Sequence, residues 1–472
     1  MLNDADEALA KRLRTHLPDI AFRQPREADH EEPRGRWRGQ VGLLVRPETP
    51  GEVGTVLRLA NEARVPVVAR GGGTGLVGGQ TMPEGARPIL LSFERMTRIR
   101  AAEPENMAII AEAGATLADL HSAAEYVGAL FPLSYASEAT ATIGGALAVN
   151  SGGLNVLRYG TARDLCLGLE AVMADGRIYE GLSSLRKDNT GYDLRHLLIG
   201  SEGTLGVITA ATVRLYPKPD HIATALVVVP DSAAALDLLA QARERFGSMI
   251  SAFELISGMG LCFLDETGFD YPRPFSGIPD WLVLIEIGAF AGVDPVEGLG
   301  NLFEGALANH LVTDGVIAQS EAQRAAFWSI RENIPAANRR IGAVASHDIS
   351  LPIGTIPDFL REAGDALSRI KPLRINAFGH LGDGNLHYNA FPLPGDSGAS
   401  SSELRTRVTE TVHDLVHKLG GSFSAEHGVG RAKTGDVEKY GDPTRLAAMQ
   451  AIKKALDPNG ILNPGAVLRA GV

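Results

Sequence analysis

The chain has 472 residues, 44% of them hydrophobic and 21% charged, which is the balance of an ordinary globular protein with material for roughly two to four domains. A net charge of −11 argues against nucleic acid or an anionic membrane surface as a main partner, while a local Arg or a metal can still hold an anionic substrate. Cys166 and Cys262 are the two cysteines, which excludes a disulfide framework or a Cys-ligated cluster; both read as buried small hydrophobes.

In chain order, MLNDADEALAKRLRTHLPD is patterned as an amphipathic helix with early acids, not as a secretory signal. No apolar run is long enough to span a membrane, so a cytoplasmic enzyme is the expectation. Residues 24–40 are Arg-rich and charged and read as a surface connection. Residues 41–79 then give a strand, a helix, a strand and a loop. Thr49 and Glu52 are spaced as a capping box, Pro50 suits the first helical position, and Val53, Val56, Leu57 and Ala60 make the apolar face.

The loop that follows, GGGTGLVGG at 71–79, contains Gly73-x-Gly75-x-x-Gly78, a literal match to the dinucleotide fingerprint, with Glu94 near the expected acidic position. A fingerprint of that kind must open a crossover helix. Pro83, Gly85 and Pro88 break any helix in the next stretch, so the Rossmann reading is excluded. The glycines still let backbone N–H groups crowd around a pyrophosphate, and a phosphate-bearing cofactor is expected here. The alternative is a glycine-rich surface turn, at an entropic cost. Two further small-residue blocks, 134–160 and 197–215, suggest one extended cofactor wrapped by several loops.

Beyond Pro217-Lys-Pro219, strand and helix patterns alternate as in a small α+β domain. Residues 320–340 read as a helix that Pro335 kinks or restarts. Residues 376–389, NAFGHLGDGNLHYN, centre on Asp383-Gly384, a strong two-residue hairpin signal. With those two in the turn, His380 faces His387 with Cβ atoms roughly 5 Å apart, a spacing suited to clamping a metal. Glu426, in SAEHGVGRAK, supplies a carboxylate and leaves coordination positions open. A hairpin whose histidines are simply exposed or hydrogen-bonded is the alternative.

RGGGTGLVGG, EAGATL, SEATATIGGALAVNSGG, GSEGTLGVIT, GHLGDGNLH, SAEHGVG and LDPNGILNPG occur in this order across 41–468. The set closely resembles the FAD-linked D-2-hydroxy acid dehydrogenases of the vanillyl-alcohol-oxidase-type flavoproteins, most of all the D-2-hydroxyglutarate and D-lactate dehydrogenase branch. The resemblance implies an α+β chain: a two-subdomain FAD-binding fold over 1–217, an inserted α+β substrate domain over 218–423, and a segment 424–472 returning to the FAD domain. It places Arg70, Gly71, Gly72, Gly73, Thr74, Gly75, Leu76 and Gly79 at the pyrophosphate. Ser137, Thr140, Gly144, Gly145 and Asn150 then line the flavin, Glu202, Gly203 and Ile208 fall in a further FAD-contacting strand, and Asn463 reaches the isoalloxazine. No His lies in 71–79, so the FAD is expected to be non-covalent.

The same resemblance makes Arg331 the arginine that pairs bidentately with the substrate carboxylate, although a helix Arg taken alone is more often a surface ion pair. Oxidising a 2-hydroxy acid sends the C2 hydride to flavin N5 and the hydroxyl proton to a base. A zinc or manganese ion on His380, His387 and Glu426 would act as Lewis acid. His427 is the candidate base, or else an ordering residue; Asn385 and Tyr388 are read as orienting substrate, and Asp383 as a turn residue. Pro335 stands where the hydroxyglutarate branch usually has Thr, and Ser346 where it has Lys, which leaves the particular acid open. An electron-transfer flavoprotein or quinone-linked acceptor is the expected partner, and a homodimer the family-level expectation. The alternatives are a D-lactate- or glycolate-oxidising subunit of a larger complex, and a non-redox enzyme resembling alkylglycerone-phosphate synthases, for which the run of histidines expected near the flavin is reduced to His427.

Overall fold

Thr49 and Pro50 start the first large helix as their chemistry requires. In the computed structural model, which describes residues 1–396 and 401–470, the helix Pro50–Ala63 begins with Thr49 accepting the Glu52 N–H at 3.2 Å. The Glu52 carboxylate returns to the N–H of Glu48, one residue earlier than a capping box has it. Val53, Val56, Leu57 and Ala60 are fully buried. Leu43–Val45, Ile89–Ser92 and Val67–Arg70 form a parallel three-stranded sheet in that spatial order. Residues 71–88, between the last two strands in sequence, contain no helix.

The chain divides into two compact units. The first comprises Met1–Gly153, Tyr159–Lys218 and Glu426–Val472. Besides the parallel sheet it holds an antiparallel sheet in the order Ile99–Glu103, Ala108–Glu112, Val207–Arg214, Cys166–Val172, Ile178–Gly181. The N-terminal helix Glu7–Arg14 buries Leu9 and Leu13 in the same core. Cys166 is buried as expected, whereas Cys262 in the second unit is only half-buried. Residues 24–40 are more than a surface connection. Asp29 and Glu32 are buried, and Asp29 pairs with Arg23 and with Arg70.

The second unit comprises Leu154–Arg158 and Pro219–Ala425. The early excursion is held by Arg158, whose Nη1 donates to the Gly288 carbonyl at 2.7 Å. Its frame is a seven-stranded antiparallel sheet, in the order Asp314–Ile317, His221–Val229, Trp281–Ala289, Ile250–Ser257, Arg374–His380, Asn385–Phe391, Ala345–Ser350. Helices Ser232–Phe246, Pro295–Ala308, Ile356–Ile370 and Ser402–Lys418 bury their apolar sides against one face, with Phe253, Leu255, Leu386 and Tyr388. Helices Gly258–Glu266 and Glu321–Ile341 pack on the other, against Ile256, Leu284 and Phe378. Each large apolar side chain sunk in these layers contributes roughly 2 kcal/mol.

Two expectations are corrected here. Of the two readings of Pro335, the restart is corrected: helix Glu321–Ile341 runs on through it, and apolar residues on both sides, Ile330, Ile334 and Ala337, are held in one core. Pro335 does remove the N–H that would otherwise reach the Arg331 carbonyl. The hairpin connection is also longer than the Asp-Gly pair: its strands end at His380 and begin again at Asn385, and Phe378, not His380, stands opposite His387. Leu381 turns into the core at 1% exposure, and Gly384 takes a positive φ of 85° to bring the chain back. The slip is two residues, so the period-two alternation still leaves both histidines on one face. Among the described residues, no helix is long and apolar enough to cross a membrane.

Candidate active site

The first unit builds its site from backbone. A Cβ on Gly72 would lie 1.8 Å from the Thr140 carbonyl oxygen, and one on Gly71 would lie 2.3 Å from Thr142 Oγ1. Only glycine lets this loop lie directly on 140–145. Thr142 caps the helix Ile143–Val149, donors of which include the Gly145 N–H, and Asn150 ends it at a φ of 54° while accepting the Arg163 N–H. Gly144 packs on Ala113 with no room for a side chain. The Thr140 hydroxyl donates to the Ser137 carbonyl. Trp37 backs the loop from beneath Gly78, a contact that a single Trp in a charged stretch does not announce. Among the described residues, the backbone N–H groups of 72–79 donate to no protein acceptor. Unpaired donors over a surface of glycines are what a pyrophosphate needs, so the residues present fit the diphosphate of FAD. Arg70 is turned back onto Asp29 and Ala28, with its guanidinium over Gly73.

The far end of that loop is tied to distant segments. Asn463, at a φ of 41°, donates through Nδ2 to the carbonyls of Gly79 and Glu202, at 2.9 and 2.8 Å. Arg431 donates to the Gly78 and Gly79 carbonyls and to Asn463 Oδ1. Burial pulls its guanidinium down to about 10. Glu202 is not in a strand: it sits in the turn before Val207–Arg214 at a φ of 51°, and Gly203 after it is also left-handed, whereas Ile208 is in the strand and buried. The Glu202 carboxylate accepts the N–H groups of Val429 and Gly430, at 2.7 and 2.9 Å, so it clamps the segment that carries His427. Burial pushes that carboxyl above the usual range despite those bonds. Sequence reasoning assigned Glu202 to cofactor contact and missed its role as a clamp. His427 Nε2 lies 3.6 Å from Glu426 Oε1.

The second unit builds its site from side chains on one sheet face. Glu254, His380, His387, Asp348 and Asn385 share that face by strand register. Glu254 is the centre. Its Oε2 accepts from Arg331 Nε at 2.7 Å, its Oε1 contacts His380 Nδ1 at 2.5 Å, and it is 1% exposed. Burial alone would raise the Glu254 carboxyl, but His380 and Arg331, both bonded to it, hold it at about 2. Arg331 is itself buried, lies over the Phe378 ring at 4.6 Å, and uses Nε on Glu254. Among the described residues its Nη1/Nη2 edge takes no hydrogen-bond partner. The His380 and His387 rings are 5.8 Å apart, with ligand nitrogens within 4.8 Å. Asp348 Oδ1 lies 3.8 Å from His387 Nδ1 and accepts from Asn385 Nδ2 at 2.9 Å. The Ala425 N–H donates to the Asp348 carbonyl, which fixes the peptide preceding Glu426 to the strand position opposite His387. Two imidazoles, each backed by a carboxylate, fit a first-row divalent ion.

Two residues behave differently from their sequence reading. Tyr388 does not orient substrate: alternation turns it away from His387 into the core, 1% exposed against Phe359. Asn385 holds Asp348 and the Ile349 carbonyl. Glu254 and Asp348 escaped sequence reasoning. The signal for Glu254 was a lone carboxylate in an otherwise apolar strand, ISAFELIS. Ser346 stands opposite Asn389 on the same face as Asp348, and Pro335 lies one turn beyond Arg331, so both departures from the branch pattern border this cluster.

The FAD binding domain model matches residues 41–181, and the model for the C-terminal domain of FAD linked oxidases matches 218–467. The mitochondrial D-2-hydroxyglutarate dehydrogenase of Bos taurus is 38% identical over 98% of this chain and 83% of its own. The chain belongs to the FAD-linked D-2-hydroxy acid dehydrogenase family. The D-2-hydroxyglutarate dehydrogenase of Xanthomonas citri pv. viticola is 34% identical over 91% of this chain and 90% of its own. Among solved structures, p-cresol methylhydroxylase with substrate bound superposes with a TM-score of 0.76 at 17% identity, over 98% of this chain and 96% of that one. The 4-ethylphenol oxidase of Gulosibacter chungangensis gives 0.73 at 17% identity, over 100% and 99%. An alkyldihydroxyacetonephosphate synthase gives 0.74 at 18%, over 98% and 85%. At such identities these establish the fold: the family member described here has the vanillyl-alcohol-oxidase-type FAD-binding architecture.

Proposed function

We propose that this protein oxidises D-2-hydroxyglutarate, or a closely related D-2-hydroxy acid, to the 2-keto acid with metal assistance. The observation that carries the reading is the Arg331–Glu254–His380 chain beside His387, which sets a carboxylate-binding arginine next to two metal-type imidazoles on one sheet face. The relatives named above, whose names give D-2-hydroxyglutarate, support that substrate. When bound, FAD supplies a two-electron acceptor for the C2 hydride at N5, and a zinc or manganese ion supplies Lewis acidity.

This chain's residues do the rest. The Nη edge of Arg331 holds the C1 carboxylate of the substrate by a bidentate pair. His380 and His387 serve as nitrogen ligands, with Glu426, the residue after anchored Ala425, as the carboxylate. Asp348 steadies His387, and Asn385 steadies Asp348. His427 takes the hydroxyl proton, and Glu202 keeps its segment in place. Electrons leaving the reduced enzyme pass to an electron-transfer flavoprotein or a quinone-linked carrier.

Anaerobic bleaching of the flavin absorbance tests this. D-2-hydroxyglutarate, D-lactate, D-malate and their L-forms are added before and after chelation. The expected result is bleaching by D-2-hydroxyglutarate, lost on chelation and restored by zinc or manganese. Bleaching that survives thorough chelation removes the metal, and a flavin that no hydroxy acid reduces overturns the substrate class.

A further inference from the structure

Glu254 is the sole ionised side chain of the strand Ile250–Ser257, and every group it touches is buried with it. Strand pairing sets it opposite His380, and helix Glu321–Ile341 brings Arg331 to its other oxygen. A guanidinium can only donate and an ionised carboxylate can only accept. The imidazole nitrogen at 2.5 Å from Oε1 must therefore be the donor, which puts a proton on Nδ1, so that in the neutral ring the lone pair falls on Nε2.

We propose that Glu254 is a positioning residue that sets His380 in the one tautomer able to bind a metal through Nε2. The same carboxylate fixes the rotation of the Arg331 fork. The two functions need common control because of the substrate's chemistry: the carboxylate and hydroxyl of a 2-hydroxy acid sit on adjacent carbons, so their two binding groups must keep one spacing. A single rigid carboxylate, bonded to both, provides it. This inference rests on the reading of His380 as a metal ligand.

Glu254→Gln separates chemistry from shape, since volume is kept. Arg331 Nε–H claims the amide oxygen, so the amide N–H₂ faces His380 Nδ1, forces it to accept, and moves the proton to Nε2. Zinc alone, titrated into the flavin-loaded full chain against a chromogenic chelator, is expected to bind roughly 10–100-fold more weakly in E254Q, with flavin content retained. Unchanged zinc affinity in a folded E254Q overturns the proposal.

His380→Gln distinguishes the two layers of argument. If H380Q still binds zinc as the unaltered protein does, the ligand reading fails and the positioning role falls with it. If H380Q loses zinc while E254Q keeps it, only the positioning role falls. A measurement on the unaltered, metal-free protein keeps the test open even where E254Q does not fold. Long-range nitrogen–proton correlation of its histidines, with His380 assigned by its loss in H380Q and read where the ring is neutral, should show the single proton on Nδ1. The single proton of the neutral ring on Nε2 overturns the proposal.

Discussion

The two units solve the problem of holding a ligand with different materials. In the first, main chain does it: glycines laid on 140–145, unpaired N–H groups over 72–79, and left-handed turns at Glu202 and Asn463. In the second, side chains do it, with Glu254 and Asp348 standing behind His380 and His387 on one face of a sheet. A backbone site needs particular residues in consecutive positions, whereas a side-chain site needs one residue from each of several strands. Damage should differ accordingly.

The largest expected effect is in the second unit. Arg331→Ala leaves Glu254 buried beside one partner, and breaking such a pair costs about 3–5 kcal/mol, with turnover of the D-hydroxy acid lost as well. Chemical denaturation followed by circular dichroism, together with the flavin-reduction rate, measures both. Equal stability of the variant and the parent would show that Glu254 is not held by this pair.

Gly72→Ala tests the backbone site. Its Cβ would fall 1.8 Å from the Thr140 oxygen, so one of the two segments must move, at a cost of roughly 1–3 kcal/mol, and flavin should be lost on purification. Flavin absorbance per chain reads this directly. Full flavin content would mean that the loop has slack.

Both regions share an acid weakness. Burial alone would raise the Asp29 carboxyl, but Arg23, the Arg26 N–H and Arg70 hold it at about 2, much as His380 and Arg331 hold Glu254. A carboxyl whose folded pKa is depressed contributes stability above its unfolded value, near 4, and that contribution is lost as pH falls toward 2. The thermal midpoint of the unaltered chain should therefore drop steeply below about pH 4. In Asp29→Asn the first unit should be weaker at neutral pH and change less with acid. A parallel decline in both proteins would remove Asp29 from the account.

The smallest effect is expected at Tyr388. Among the described residues its hydroxyl has no hydrogen-bond partner, and it is buried and faces away from the histidines, so Tyr388→Phe should change stability by less than about 1 kcal/mol and leave flavin reduction unchanged. A marked fall in rate would return Tyr388 to the site.

How much of this was legible in the sequence follows the same division. The loop 71–79 could be read because close approach of backbone leaves a local mark, a run of glycines, and the missing helix after it was written in Pro83, Gly85 and Pro88. The pairing of His380 with His387 on one face survived an error in register because the slip was even. The restart read at Pro335 misled, since core packing on both sides of it overrode a local breaker. Tyr388 misled for the opposite reason: its neighbourhood to His387 in sequence is an opposition in space.

The sequence by itself determined the glycine cradle and the two histidines on one face, because turns and alternation act over a few residues, while the fold class came with the resemblance that the whole set of motifs carries. Tertiary structure alone decided that Glu254, 126 residues before His380, is its partner, that Arg331 shares it, and that Glu202 clamps Val429 and Gly430. Those contacts depend on which strands pair and in what register. No local pattern encodes that, because it is settled by burial of the whole sheet at once.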